Sequence, residues 1–179
     1  MPYSKPVQML VDEHEVILSV LDAVEAVASR AVSDGPFLAD FYTQAADFFG
    51  TFADRCHHAK EEALLFPRLE ARGIPRQGGP IGVMLADHDE GRRLVGTARD
   101  ALPAARRGEK PAQEKARQAM LEFATLLRNH IAKENQVLFM LGDQVLTKQD
   151  KSELWDAFQT AGHDALPPGT HGKYVALAK

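Results

Sequence analysis

The chain has 179 residues, 45% of them hydrophobic and 26% charged, with a formal net charge of -4. That length and composition suit one domain with a tail, and they exclude a wholly disordered, collagenous or disulfide-stapled chain. The acidic balance and a pI near 6.0 argue against nucleic acid as a partner, because phosphate binding needs a clustered basic footprint. The single cysteine, Cys56, can make no intrachain disulfide. The segment Met1 to Pro6 has no apolar signal core, and no run reaches about 18 apolar residues. A cytoplasmic address without membrane contact is expected.

In chain order, Val7, Leu10, Val11, Ile17, Leu18, Leu21 and Val24 fall at steps of three and four, which predicts a first helix. Ser33-Asp34-Gly35-Pro36 breaks it. A second segment runs from Phe37 through Phe41, Ala45, Phe48, Phe52 and Cys56 to Leu65, where Pro67 is expected to kink or end the helix. The stretch from Arg72 to Pro80 reads as a loop. Ile81, Met84, Leu85, Val95 and Leu102 mark a third helix, weakened by Gly82, Gly91 and Gly96. Beyond Gly108 to Pro111, a fourth carries Ala116, Met120, Phe123, Leu126, Leu127, Val137, Leu138 and Leu141. A shorter fifth, about 148–160, holds Trp155 and Phe158, and Pro167-Pro168-Gly169 begins an irregular end. The expectation is an all-α, up-down four-helix bundle over residues 1–145. A short fifth helix and C-terminal tail over 146–179 would pack on the bundle or trail it.

Each long helix carries a histidine on its apolar stripe: His14 among Val11, Ile17 and Leu18, His57 one turn before Glu61, His88 between Leu85 and Val95, and His130 between Leu127 and Glu134. One such histidine reads as a core residue with a hydrogen-bond partner. Four, joined by two carboxylates, cost on the order of several kcal/mol each to bury unless they are paired or hold a metal.

An internal repeat sharpens the pattern. His57-His58-Ala59-Lys60-Glu61-Glu62-Ala63-Leu64-Leu65-Phe66 aligns without gaps to His130-Ile131-Ala132-Lys133-Glu134-Asn135-Gln136-Val137-Leu138-Phe139. His14 precedes His57 by 43 positions, and His88 precedes His130 by 42. Two helical hairpins are implied, each offering a histidine from its first helix and His-x-x-x-Glu from its second. The i, i+4 spacing puts imidazole and carboxylate on one helix face. His58 pairs with Ile131 and Glu62 with Asn135, so both are expected at the edge of the stripe or as outer partners of the ligands, with His57 and Glu61 the better ligands. A nitrogen and oxygen set without sulfur suits iron or manganese better than structural zinc. Six side chains leave open positions on two octahedral ions.

At these residues the chain resembles the hemerythrin family, specifically the bacterial hemerythrin-like HHE cation-binding domains, over about residues 5 to 142. The resemblance rests on Asp12-Glu13-His14-Glu15, His57-His58-x-x-Glu61-Glu62 with Leu65-Phe66-Pro67, Asp87-His88-Asp89-Glu90, and Asn129-His130-Ile131-x-x-Glu134 with Val137-Leu138-Phe139. It implies a non-haem di-iron centre with a bridging oxo or hydroxo group, held by His14, His57, Glu61, His88, His130 and Glu134. Zinc or manganese could substitute. The small-molecule partner implied is dioxygen, nitric oxide or peroxide, bound or sensed; the alternative is an oxidoreductase turning over peroxide or nitric oxide. A structural metal site in an interaction module is the third reading.

Two departures stand out. Oxygen-carrying hemerythrins place a second histidine one turn along the third helix, where this chain has Arg92, and their last carboxylate is an aspartate five residues after the histidine rather than Glu134 at four. A more open, more symmetric ion pair is expected. The family's iron-repair proteins carry a cysteine-bearing domain before the bundle, and this chain starts at its first helix, so that role is not expected. Arg92 has two readings: a stem covering core with its head in solvent, or an outer partner for a bridging carboxylate or a bound anion. Cys56 reads as core, and His163 and His171 as surface. Glu13, Glu15, Asp89 and Glu90 read as solvated faces, of which one could hold a ligand histidine from outside. Trp155 and Phe158 offer a face for a homodimer.

Overall fold

The computed structural model describes residues 3–31 and 36–164, apart from the side chains of residues 31 and 162–164. Ser33 to Gly35, the side chain of His163, His171 and the Pro167-Pro168-Gly169 end lie outside the described residues. The described chain is all helix and turn. Helix α1 spans Lys5–Ala31. Helix α2 begins as Ala39–Phe48, widens into π-helical turns at Phe49–His58 and Glu61–Leu65, and closes as the α-helical Phe66–Ala71. Helix α3 spans Pro80–Arg106. Helix α4 runs as Lys110–Lys133, a π turn at Glu134–Leu138 and Phe139–Val145, and α5 spans Lys148–Asp164.

Pro67 does not end α2. It falls in the first two residues of the closing segment, directly after the wide turn, where the bonding register changes and a missing N–H is tolerated. The helix stops instead at Gly73, whose φ of 92° no β-carbon favours. There Ile74 N–H donates to Leu69 O at 3.0 Å, closing a Schellman turn around two buried apolar side chains. Gly108 ends α3 in the same way, with Glu109 N–H donating to Ala104 O at 3.2 Å.

The core is two apolar clusters. One gathers Ile17, Leu21, Tyr42, Phe48, Phe52, Leu94, Phe123 and Leu127; the other gathers Leu10, Leu65, Phe66, Met84, Leu138, Phe139, Leu154 and Phe158. Each long helix passes from one to the other. Helix α1 goes from Leu10 in the second to Ile17 in the first, α2 from Phe52 in the first to Leu65 in the second, and α3 and α4 repeat the alternation through Met84 to Leu94 and Leu127 to Leu138. The gap between clusters on all four helices is where the candidate site residues fall.

Helix α5 is fastened at its start and along its face. Asp150 accepts from Thr147 N–H and its hydroxyl, and the Thr147 hydroxyl accepts from Asp150 N–H, a reciprocal cap. Arg68 and Arg72 of α2 donate to the same carboxylate at 2.7 Å each and hold it far below the usual carboxylate range. Leu154 and Phe158 are buried in the second cluster. Phe158 is thus core rather than a face for another copy. Phe158→Ala is expected to lower unfolding free energy by about 3–5 kcal/mol, read by denaturant titration; a loss below about 1 kcal/mol would mean that α5 adds little to the core. Among the described residues, no helix is long and apolar enough to cross a membrane.

Candidate metal centre

All six residues singled out by spacing converge in the layer between the clusters, and each is at most 1% exposed. Glu61 links the two halves: its Oε1 lies 3.5 Å from His57 Nε2 and its Oε2 3.5 Å from His88 Nε2. Glu134 Oε2 lies 3.2 Å from His14 Nε2 and 3.1 Å from His130 Nε2. The Nε2 atoms of His88 and His130 face each other at 3.2 Å. Two sets of four donors result, His14, His57, Glu61 and Glu134 in one and His58, Glu61, His88 and His130 in the other, each with donor atoms within 4.8 Å of one another. Glu61 belongs to both.

His58 corrects the sequence reading, which left it at the edge. It is 5% exposed, and its ring stacks on His88 with centroids 3.9 Å apart. The wide turn Phe49–His58 explains the miss, because more residues per turn mean less rotation between neighbours, so His57 and His58 both reach the layer. The repeat gave no hint, since Ile131 stands at the matching place. The total of imidazoles is five, the fifth coming from α2 where Arg92 on α3 supplies none. Arg92 turns away from the layer and donates to Asp54, Glu62 and Asp89. None of these is Glu61 or Glu134, so Arg92 does not meet the bridging carboxylate expected for it; Glu62 is the one that also bonds His88.

The outer bonds carry the repeat further than the sequence suggested. His57 Nδ1–H donates to Glu13 at 2.8 Å, and the buried Lys60 ammonium pairs with the same carboxylate. In the other half His130 Nδ1–H donates to Asp87 at 3.3 Å, with Lys133 on that carboxylate at 2.5 Å. Across the halves, His14 Nδ1–H donates to Asn135 at 2.9 Å and His88 Nδ1–H to Glu62 at 2.7 Å. Glu62 and Asn135 are therefore equivalent positions with different chemistry. Each bond fixes a tautomer with the proton on Nδ1 and directs the Nε2 lone pair inward, the usual arrangement behind a metal-bound imidazole.

The inward atoms are otherwise stranded. Among the described residues nine buried side-chain nitrogen and oxygen atoms lack a hydrogen-bond partner, and all but the Tyr42 hydroxyl belong to His14, His57, His58, Glu61 and Glu134. Such atoms are rare and costly. A nitrogen and oxygen cluster of this kind fits one or more divalent cations. Cys56 supplies no sulfur to it: burial pushes its thiol up and it packs as core.

Protonation carries the same tension. Burial, then the charge of Glu134, pushes Glu61 well above the usual carboxylate range. Burial also opposes ionisation of Glu134, but His130 and His14 override it and hold that group well below the range. For His130, burial is outweighed by Glu134 and Asp87, which raise it to about 9. Burial lowers His57 to about 4, against the Glu13 bond. With a folded value below the unfolded 6.5, His57 in the metal-free protein is stabilising above pH 6.5, and that contribution is lost as pH falls to 4. The loss is about 3 kcal/mol. Metal-free wild type should therefore destabilise by about that much more than metal-free His57→Gln across this window, read by denaturant midpoints; parallel acid limbs would contradict the assignment.

Bundle, buried donor layer and outer partners together define a metal-binding helical domain. The family model of the hemerythrin HHE cation-binding domain matches residues 5–141, and the chain belongs to that family. It is 25% identical over 154 residues to the uncharacterized proteins Rv1995 of Mycobacterium tuberculosis (strain H37Rv) and Mb2018 of Mycobacterium bovis, covering 86% of this chain. The chain spans 60% of the length of these relatives.

Proposed function

We propose that the chain is a non-haem di-iron protein that binds or senses dioxygen, nitric oxide or peroxide. The observation that carries this is the pair of four-donor sets sharing Glu61, set among stranded inward-facing atoms. His14, His57 and Glu134 would hold one ion, His58, His88 and His130 the other, with Glu61 between. The alternating passage of α1 to α4 between the two clusters supports an up-down bundle order around them.

An iron pair, once bound, supplies one-electron steps and open positions for a small ligand. The protein's own part is orientation and exclusion. Glu13, Asp87, Glu62 and Asn135 lock the imidazole tautomers, so little reorganisation is needed when charge on the site changes. The apolar clusters flank the layer and leave each of the seven side chains at most 5% exposed. Seven side chains still leave positions free on two six-coordinate ions. Iron analysis with the optical spectrum of the reduced protein after exposure to air tests this reading. About two irons per chain and a persistent oxy-type charge-transfer band support binding or sensing. Immediate return to the ferric spectrum supports an oxidoreductase acting on peroxide or nitric oxide. One zinc and no iron per chain would overturn both.

A further inference from the structure

Beside the donor layer, between α2, α3 and α4, lies a cavity of about 390 Å³ that has His58 and His88 in its wall. A diatomic ligand needs far less. At the ~30 Å³ that a water takes in the liquid, it holds roughly a dozen non-hydrogen atoms, within the size range of organic ligand sites. Its walls are mainly apolar, with Phe49, Val95, Phe123 and Leu127. Gly96 is part of the lining, and an added β-carbon there would meet nothing within 4 Å, so a larger side chain has room at the cavity.

The charged lining is uneven. Asp54 is engaged by Arg92, and Asp87 by Lys133 and His130. Arg55 donates to Gly50 O and the Thr51 hydroxyl, and Arg99 to Ala46 O, all uncharged oxygens. Both arginines are exposed, whereas His58 and His88 are buried. An apolar chamber thus has histidines at its inner end and two guanidiniums at its rim, a geometry that matches a carboxylate carried on an apolar body.

We propose that this cavity binds a small amphiphilic monocarboxylate, its acid group on Arg99 and Arg55 and its apolar body reaching toward His58 and His88. The placement beside the metals rests on the di-iron reading; the binding itself does not. The test is calorimetric titration of iron-loaded and metal-free protein with octanoate, with 1-octanol as the neutral probe. Octanoate should bind at least tenfold tighter than 1-octanol. Arg99→Gln should erase most of that preference, and Gly96→Phe should weaken octanoate at least tenfold with iron content and melting temperature kept. Gly96→Leu serves if the phenylalanine variant does not fold. Octanoate no tighter than 1-octanol, or binding indifferent to the side chain at 96, overturns the proposal. Octanoate binding by a protein that takes up no iron would retain the cavity and sink only the metal reading; iron uptake without octanoate binding does the reverse.

Discussion

Glu61→Gln is expected to cost the protein most of its metal affinity while making the metal-free fold more stable. Glu61 is the one residue common to both donor sets, with one oxygen near His57 and the other near His88. An amide offers a weaker donor and no charge, so the loss should exceed the roughly 10- to 100-fold typical of outer partners. Without metal, the same change removes a carboxyl that burial and Glu134 push well above its usual range. Opposite signs in the two states are the signature: a lower melting temperature with iron, an equal or higher one after chelation. Calorimetric scans of both states check it. A variant that loses stability equally in both would show Glu61 to be structural.

Metal removal from the wild type should lower the melting temperature by roughly 10–20 °C. At free iron about a hundredfold above each dissociation constant, one ion stabilises by about 2.7 kcal/mol and two by about 5. For a chain of this size each kcal/mol moves the midpoint by about 2–4 °C. The shift must grow with iron concentration, since mass action sets it. Scans that superimpose with and without chelator would mean that the stranded atoms of His14, His57 and Glu134 are not filled by a cation.

The helices were legible because the apolar residues of α1 and α4 keep a steady three-four step, and Gly73 and Gly108 stop α2 and α3 where the backbone must turn left-handed. The convergence of six buried side chains was legible because the repeat places His57 and Glu61 in register with His130 and Glu134. His58 was not. A period of 3.6 assigns neighbouring residues to different faces, and only the π turn at Phe49–His58 brings His57 and His58 inward together. Pro67 does not end the helix for the same cause, being tolerated where the turn narrows again. Glu62 was legible as a residue beside the ligands, whereas its counterpart Asn135 was hidden by its different type. They occupy matching positions, but one bonds His88 as a carboxylate and the other His14 as an amide. Asp87 went unmarked because a carboxylate on a helix face is ordinarily solvated, and only the packing of α3 on α4 reveals His130 and Lys133 against it.

Two metal ions sharing Glu61, with His58 among their ligands, would make iron stoichiometry depend on His58. An anaerobic titration of metal-free protein with ferrous iron, counting bound iron per chain in wild type and His58→Ala, tests it most directly. Saturation is expected at two irons in the wild type and near one in His58→Ala. Saturation at one in the wild type, or an unchanged two in His58→Ala, would contradict it.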